Sequence, residues 1–238
     1  MTWRGRLGNR LLRWLPVSRF VVELVRVEVR SGILSLENRL LPWRRRELKR
    51  LACEKGLRLN VACGPQILPH FVNLDLTRSH RDVVAFDCRR RLPFTDDSIA
   101  GIRAEHFFEH LEPREEVPAF LAECRRVLAD GGVLRIIVPD AERYLRAYCR
   151  DDLAGFRDLS VPLPFPEDLP TRMDVVNHTF HQWHEHRWGY DFETLAHRLQ
   201  SAGFAHVRKM AFRSSLDPDL ASDREEHAPY SLYVDAVK

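Results

Sequence analysis

Leu59-Asn60-Val61-Ala62-Cys63-Gly64, Phe71-Val72-Asn73-Leu74-Asp75, Leu92-Pro93-Phe94-Thr95-Asp96-Asp97-Ser98 and Val127-Leu128-Ala129-Asp130-Gly131-Gly132-Val133-Leu134-Arg135-Ile136-Ile137-Val138-Pro139-Asp140 follow one another in that order between Leu57 and Asp140. Each reads as a strand end or loop of an open parallel sheet. Strands are expected at Arg58–Ala62, Val72–Asp75, Val83–Asp87, Ala100–Ala104 and Val133–Val138, the last an unbroken apolar run suited to burial on both faces. Between the last two, Pro113–Leu128 repeats Val117, Phe120, Leu121, Cys124 and Leu128 at helical spacing, with Gly131-Gly132 expected to close the helix. Ala141–Arg150 and Asp191–Ala202 read as further helices, and Phe204–Phe212 and Tyr230–Val237 as a terminal antiparallel pair. Alternation of this kind implies α/β architecture.

Together the four fragments resemble the class I S-adenosylmethionine-dependent methyltransferases, and most closely a small bacterial methyltransferase-type-11-like group carrying "LNLGCG", "VNLD", "LPF-DxS" and "RVLxxGGxLRIxVPD". The resemblance spans Leu57 to Lys238. It implies a Rossmann-like, doubly wound, mostly parallel seven-stranded sheet with an antiparallel last strand. It also implies S-adenosylmethionine as cofactor and methyl transfer as the reaction. The family loop after strand 1 is acid-x-Gly-x-Gly, and here Asn60 stands for the acid and Ala62 for the first glycine. Cofactor contacts are thereby implied for Asn60, Ala62, Cys63 and Gly64. At the end of strand 2, Asp75 (with Leu76) is implied to accept from the ribose hydroxyls, and at the end of strand 3 Asp87 to hold the adenine amino group beside Cys88. Glu105 and His106 are implied to lie beneath the methionine end, facing the acceptor. Strand-end aspartates also make ordinary turns, and a buried histidine more often packs than reacts.

Histidine suits proton removal from a hydroxyl or amine acceptor near neutral pH. His106 and His186 are the candidates, the latter from a cluster of His178, His181, His184 and His186. No cysteine or aspartate stands in useful register within that cluster, so no metal site is expected. His106–His110 also spells the H-x-x-E-H of inverted zinc peptidases, which requires one long helix and a third ligand. Here the motif starts at a strand end, and Pro113 follows. The region 153–190, rich in Pro, His and aromatics, reads as a lid over the acceptor pocket. Its Asn177-His178-Thr179 sequon is discounted in a cytoplasmic chain.

The 238 residues suit one domain with additions, here an N-terminal extension of residues 1–50 and a methyltransferase domain of 51–238. Five scattered cysteines form no C-x-x-C pair and read as reduced thiols. No apolar run approaches the roughly 20 residues of a membrane span. The net charge of +3 hides an asymmetry: residues 1–50 hold 13 Arg/Lys against four Glu, so the remainder is acidic. A helix is expected over Val17–Leu41, ended by Pro42, and a charged second helix over Trp43–Gly56. Residues 1–20 interleave arginines with Trp3, Leu11, Leu12, Trp14 and Leu15, a pattern suited to an anionic membrane surface. No specific nucleic-acid partner is expected, since no recognition motif accompanies the basic arm. The expected location is the cytoplasm, with the inner membrane face as a peripheral station, and the oligomeric state is open.

The eight residues Cys63–His70 between strands 1 and 2 are too few for the usual crossover helix. A helix from residues 17–56 is expected to cover the exposed sheet face instead. The acceptor expected is a small molecule or glycan. The alternatives are a non-catalytic cofactor-binding or membrane-peripheral protein, and a zinc metallopeptidase using His106 and His110.

Overall fold

The computed structural model describes residues 19–150, 169 and 171–238. The basic arm of residues 1–16 and the first half of the expected lid lie outside the described residues. Two helices come first: α1 (Arg19–Leu40) and α2 (Pro42–Cys53), the latter started by a proline whose missing N–H costs nothing at that position. The sheet strands are β1 (Leu57–Val61), β2 (Phe71–Asp75), β3 (Val83–Ala85), β4 (Ile99–Glu105), β5 (Leu128–Pro139), β6 (Ala205–Met210) and β7 (Ser231–Val237). Helices α3 (Glu116–Val127), α4 (Ala141–Cys149), α5 (Arg172–His181) and α6 (Phe192–Ser201) fall between them. Their starts are written locally: Thr171 and Asp174 cap α5 reciprocally, and Asp191 accepts from the Thr194 N–H at 2.8 Å to open α6.

The strand order is β3-β2-β1-β4-β5-β7-β6, with β1 to β5 parallel and β7 antiparallel to both β5 and β6. The expected strands and helices are present within a few residues. One expectation fails in detail: α3 ends at Val127, and Leu128 already begins β5. Gly131, at φ +77°, therefore bends the start of a strand instead of capping a helix.

Period-two alternation gives the sheet two unlike faces. Leu59, Val61, Leu74, Ile102, Ala104, Leu134, Ile136, Val138, Val234 and Ala236 join one apolar cluster. Against it pack Val117, Phe120, Leu121 and Cys124 of α3, Leu195 and Leu199 of α6, and Leu48 and Leu51 of α2. The intervening positions include Asn60, Arg103, Glu105, Arg135 and Asp235, all buried although polar. Their cover is the irregular chain 211–230, which joins β6 to β7. Arg135 binds Asp223 through Nε (3.0 Å) and Nη2 (2.6 Å), Asp235 through Nη1 (2.7 Å), and the Ser214 carbonyl (2.8 Å). Arg103 reaches the Ser222 carbonyl at 3.0 Å, and Arg58 binds Asp217 at 2.9 Å.

This corrects the expected cover for the face left bare by the short β1–β2 loop. The loop indeed holds no helix. Over β4 and β5, however, the N-terminal helices do not replace it; the C-terminal segment does, and it brings Asp223 and the Ser214 and Ser222 carbonyls to the buried arginines.

Removing one member of a fully buried ion cluster strands its partners, at about 3–5 kcal/mol. Arg135→Ala is therefore expected to lower urea-unfolding stability by that amount. A loss under about 1 kcal/mol would show that segment 211–230 is held by something else.

Candidate active site

The carboxyl ends of β1, β2, β3 and β4 share one edge, where open α/β sheets bind ligands. At the end of β1 the chain turns through Ala62 (φ 50°), Cys63 and Gly64 (φ +52°). Ala62 thus keeps a glycine-type conformation, storing about 1 kcal/mol of backbone strain. A side chain built on Gly64 would meet nothing within 4 Å, so the loop is open above that residue. Asp75, at the end of β2, fastens the turn: Oδ2 accepts from the Gly64 N–H at 3.0 Å and Oδ1 from the Thr77 N–H at 2.7 Å. Each oxygen keeps a further acceptor position, so paired hydroxyls fit there. The Cys63 thiol is pushed up to about 12, by burial first and then by Asp75, and is inert as a nucleophile.

Asn60 lies inside this turn. Its Nδ2 donates to the Gln66 carbonyl at 2.8 Å and to Asn73 Oδ1 at 2.9 Å, while its oxygen accepts from Arg103 at 3.3 Å. The side chain ties β1 to both its neighbours and is 1% exposed. Asp87 is more fully engaged. Ser31 of α1 donates to Oδ2 at 2.5 Å, the Arg89 side chain holds both oxygens at 3.0 and 2.9 Å, and the Arg89 N–H adds a contact at 3.0 Å. These contacts fill the roughly four acceptor sites of a carboxylate. Accepting an adenine amino proton therefore requires Ser31 or Arg89 to let go. Cys88 is fully buried beside it, its thiol raised by burial.

Glu105 ends β4. Its carboxylate pairs with Arg103, accepts from the Arg224 N–H at 3.3 Å and meets His227 Nδ1 at 2.9 Å. Burial opposes its charge, but the His227 hydrogen bond and Arg103 outweigh it and hold the carboxyl at about 2. His227 is itself lowered by burial, so Arg103 is the standing positive charge. His106 follows at φ 51°, half-buried, with Nε2 2.9 Å from Ser231 Oγ. The rings of His227 and Tyr230 stand 4.1 and 5.5 Å from it. Neither His227 nor Tyr230 was singled out in the sequence, because they come from the far end of the chain and belong to no local motif.

His186 is placed elsewhere. It is buried, its Nδ1 sits 2.7 Å from the Thr179 carbonyl, and burial pulls its pKa down to about 4. Its ring meets that of His110 at 4.9 Å, not His106. The Arg187 N–H donates to the Glu109 carbonyl at 2.7 Å, which fastens this strip to the turn after β4. His181 meets it through the backbone, its carbonyl accepting from the His186 N–H at 3.3 Å. The long helix required by an inverted zinc-peptidase motif does not form: Phe108–His110 is a single 3-10 turn, and His106 lies outside it.

The Glu105 carboxyl gives a pH test. Its folded pKa lies below the ordinary 4.5, so its stabilisation is complete above pH 4.5 and is lost as pH falls towards 2. The size is about 3 kcal/mol. Glu105→Gln is expected to cost about that at pH 7 by leaving Arg103 unpaired, and to flatten the stability profile between pH 4.5 and 2. An unchanged acid limb in urea melts would remove Glu105 from the account.

Residues 50–136 match a family model described as a methyltransferase domain. A search of curated proteins finds no match. Among solved structures, a SAM-dependent methyltransferase from Archaeoglobus fulgidus is 16% identical, with 88% of this chain and 94% of that one covered at a TM-score of 0.47. A possible histamine N-methyltransferase from Thermotoga maritima is 16% identical over 92% and 97% of the two chains, at 0.44. The Burkholderia thailandensis 1,6-didemethyltoxoflavin-N1-methyltransferase, solved with bound 1,6-didemethyltoxoflavin and S-adenosylhomocysteine, is 16% identical over 94% and 92%, at 0.45. The family match covers the β1 turn, Asp75 and the β4 edge, within a seven-stranded sheet whose last strand runs antiparallel. Over residues 50–136 the chain is thus similar to a methyltransferase domain.

Proposed function

We propose that this chain is an S-adenosylmethionine-dependent methyltransferase acting on a hydroxyl or amine of a small molecule or glycan, at the carboxyl edge between the β1 turn and the chain preceding β7. The observation that carries the reading is the tie between Asp75 and the Ala62-Cys63-Gly64 turn at the sheet's ligand-binding edge. S-adenosylmethionine brings an already activated methyl group, so the protein's task is alignment and proton removal. In this reading the Ala62–Gly64 turn approaches the cofactor with bare backbone, and Asp75 and Leu76 receive its ribose. Asn60 holds the turn from beneath. Asp87 and Cys88 shape the adenine end, with α1 bound against Asp87 through Ser31. Glu105 fixes the start of the turn that carries His106, the candidate general base. The aromatic rings of His227 and Tyr230 beside His106 suit a planar or sugar-like acceptor. His186, with its low basicity, fits a positioning role better than proton abstraction.

Calorimetry with S-adenosylmethionine and S-adenosylhomocysteine tests the site. Wild type is expected to bind both, and Asp75→Ala to weaken each by about 10- to 100-fold, as loss of charge-assisted hydrogen bonds implies. Equal affinity in the variant would move the ribose site away from β2. Binding without turnover on any acceptor class would favour the non-catalytic alternative.

A second reading concerns location. No helix among the described residues is long and apolar enough to cross a membrane. Yet α1 exposes Val25, Val29, Ile33, Leu36 and Leu40, and it continues from the basic residues 1–20. A cytoplasmic enzyme resting on an anionic membrane surface accounts for both. Flotation with vesicles should recover the protein on phosphatidylserine-containing membranes at low salt and not on neutral ones; recovery on neither would leave the enzyme in the bulk phase.

A further inference from the structure

Glu109 is 1% exposed, and neither carboxylate oxygen has a hydrogen-bond partner. His106 Nδ1 lies 3.1 Å from Oε1 but off the line that a hydrogen bond needs. An ionised carboxylate in such a place is costly unless a cation or strong donors meet it. Two imidazoles converge on it: one ligand atom each from Glu109, His110 and His186 lies within 4.8 Å of the others. The tautomers of the two rings are set by their other contacts. His110 Nδ1 faces the Glu185 carbonyl at 3.0 Å and His186 Nδ1 faces the Thr179 carbonyl at 2.7 Å. A carbonyl only accepts, so in the neutral ring the proton sits on Nδ1 and the lone pair on Nε2. Metal-bound histidine commonly donates its other ring N–H to a backbone carbonyl in this way, which fixes the ring's tautomer and direction.

From this geometry we propose that Glu109, His110 and His186 bind one divalent transition-metal ion, zinc being the natural probe. Two imidazoles and one carboxylate form a three-ligand set that leaves a coordination position for water or for an oxygen of the acceptor. The three residues come from two places in the chain. Glu109 and His110 sit on the turn after β4, and His186 is brought over by the Arg187 and Trp188 N–H groups, which donate to the Glu109 carbonyl at 2.7 and 3.3 Å. The site therefore lies just beyond the carboxyl end of the strand that also carries Glu105 and His106. The H-x-x-E-H pattern is thus reassigned: its last two residues are ligands, its first faces the carboxylate from the side, and the third ligand comes from beyond α5.

The test uses the full-length chain after dialysis against a chelator. Zinc is titrated by calorimetry, and cobalt(II) by visible absorption, whose intensity distinguishes a four-coordinate protein site from the hydrated ion. One zinc per chain, cobalt bands displaced by zinc, and affinity at least about tenfold weaker in both Glu109→Gln and His110→Ala would support the site. S-adenosylmethionine binding by each variant, measured on the same sample, reports that it has folded. His110 is partly exposed, so its variant decides the matter if Glu109→Gln does not fold. Wild type that takes up neither zinc nor cobalt stoichiometrically, or a cofactor-binding His110→Ala that holds zinc as tightly as wild type, overturns the proposal. Loss of cofactor binding in wild type would instead count against the methyltransferase site, leaving the zinc result to be read on its own.

Discussion

The buried charge on one face of the sheet is the constraint from which the rest follows. Arg103 and Arg135 lie in the two central strands with no access to water. A guanidinium cannot shed its proton to escape burial, so the chain must bring it carboxylates and carbonyls. The segment 211–230 does this with Asp223 and the Ser214 and Ser222 carbonyls, while Glu105 and Asp235 answer from the sheet itself. An irregular segment thereby takes the place of a packed helix. It is specified by directional bonds, whereas the opposite face is specified by shape and apolar area.

That substitution shapes the ligand edge. Because segment 211–230 must reach Arg103 and Glu105, its last residues arrive at the carboxyl end of β4. His227 and Tyr230 then lie against His106. On the other side, Gln66 of the β1 turn donates to the Ser222 carbonyl at 2.8 Å, so that turn and the C-terminal cover are joined. Asn60 closes the circuit by linking β2, β1 and Arg103. The same polar network that replaces a helix also positions the groups around the proposed methyl acceptor.

The sequence displayed the succession of strands along the chain and the β1–β2 turn clearly, since both are encoded in short runs of adjacent residues. It displayed the sheet's second face less clearly, although Arg135 stands inside the run Val133–Val138 and Arg103 inside Ile99–Glu105. Reading Val133–Val138 as an unbroken apolar run hid a period-two signal that was present. Asp87 illustrates another limit: its position at the end of β3 is local, but its partner Ser31 is 56 residues away. Glu109 and His110 were visible as part of a motif, and the strand end before it and Pro113 after it spoke against the long helix that its peptidase reading requires. What their neighbourhood becomes depends on where His186 returns, and that is a property of the tertiary fold alone.

The strip around His186 shows how such a return is enforced. Backbone bonds fasten it at both ends: Arg187 and Trp188 to the Glu109 carbonyl, and the Ala141 N–H to the Tyr190 carbonyl at 2.9 Å. Tyr190 is buried against Phe108 with ring centres 5.1 Å apart, and Gly189 leaves room for the Phe180 ring, which stands 2.0 Å from where a Cβ would lie. The strip is therefore tied to the turn after β4 and to the start of α4 at once. Its backbone and packing contacts hold His186 in place without using its Nε2. A buried carboxylate and two lone-pair-bearing imidazoles held together in this way gain nothing as a packing core, because apolar side chains of the same volume would bury at lower cost. Their convergence is intelligible as preparation for a cation.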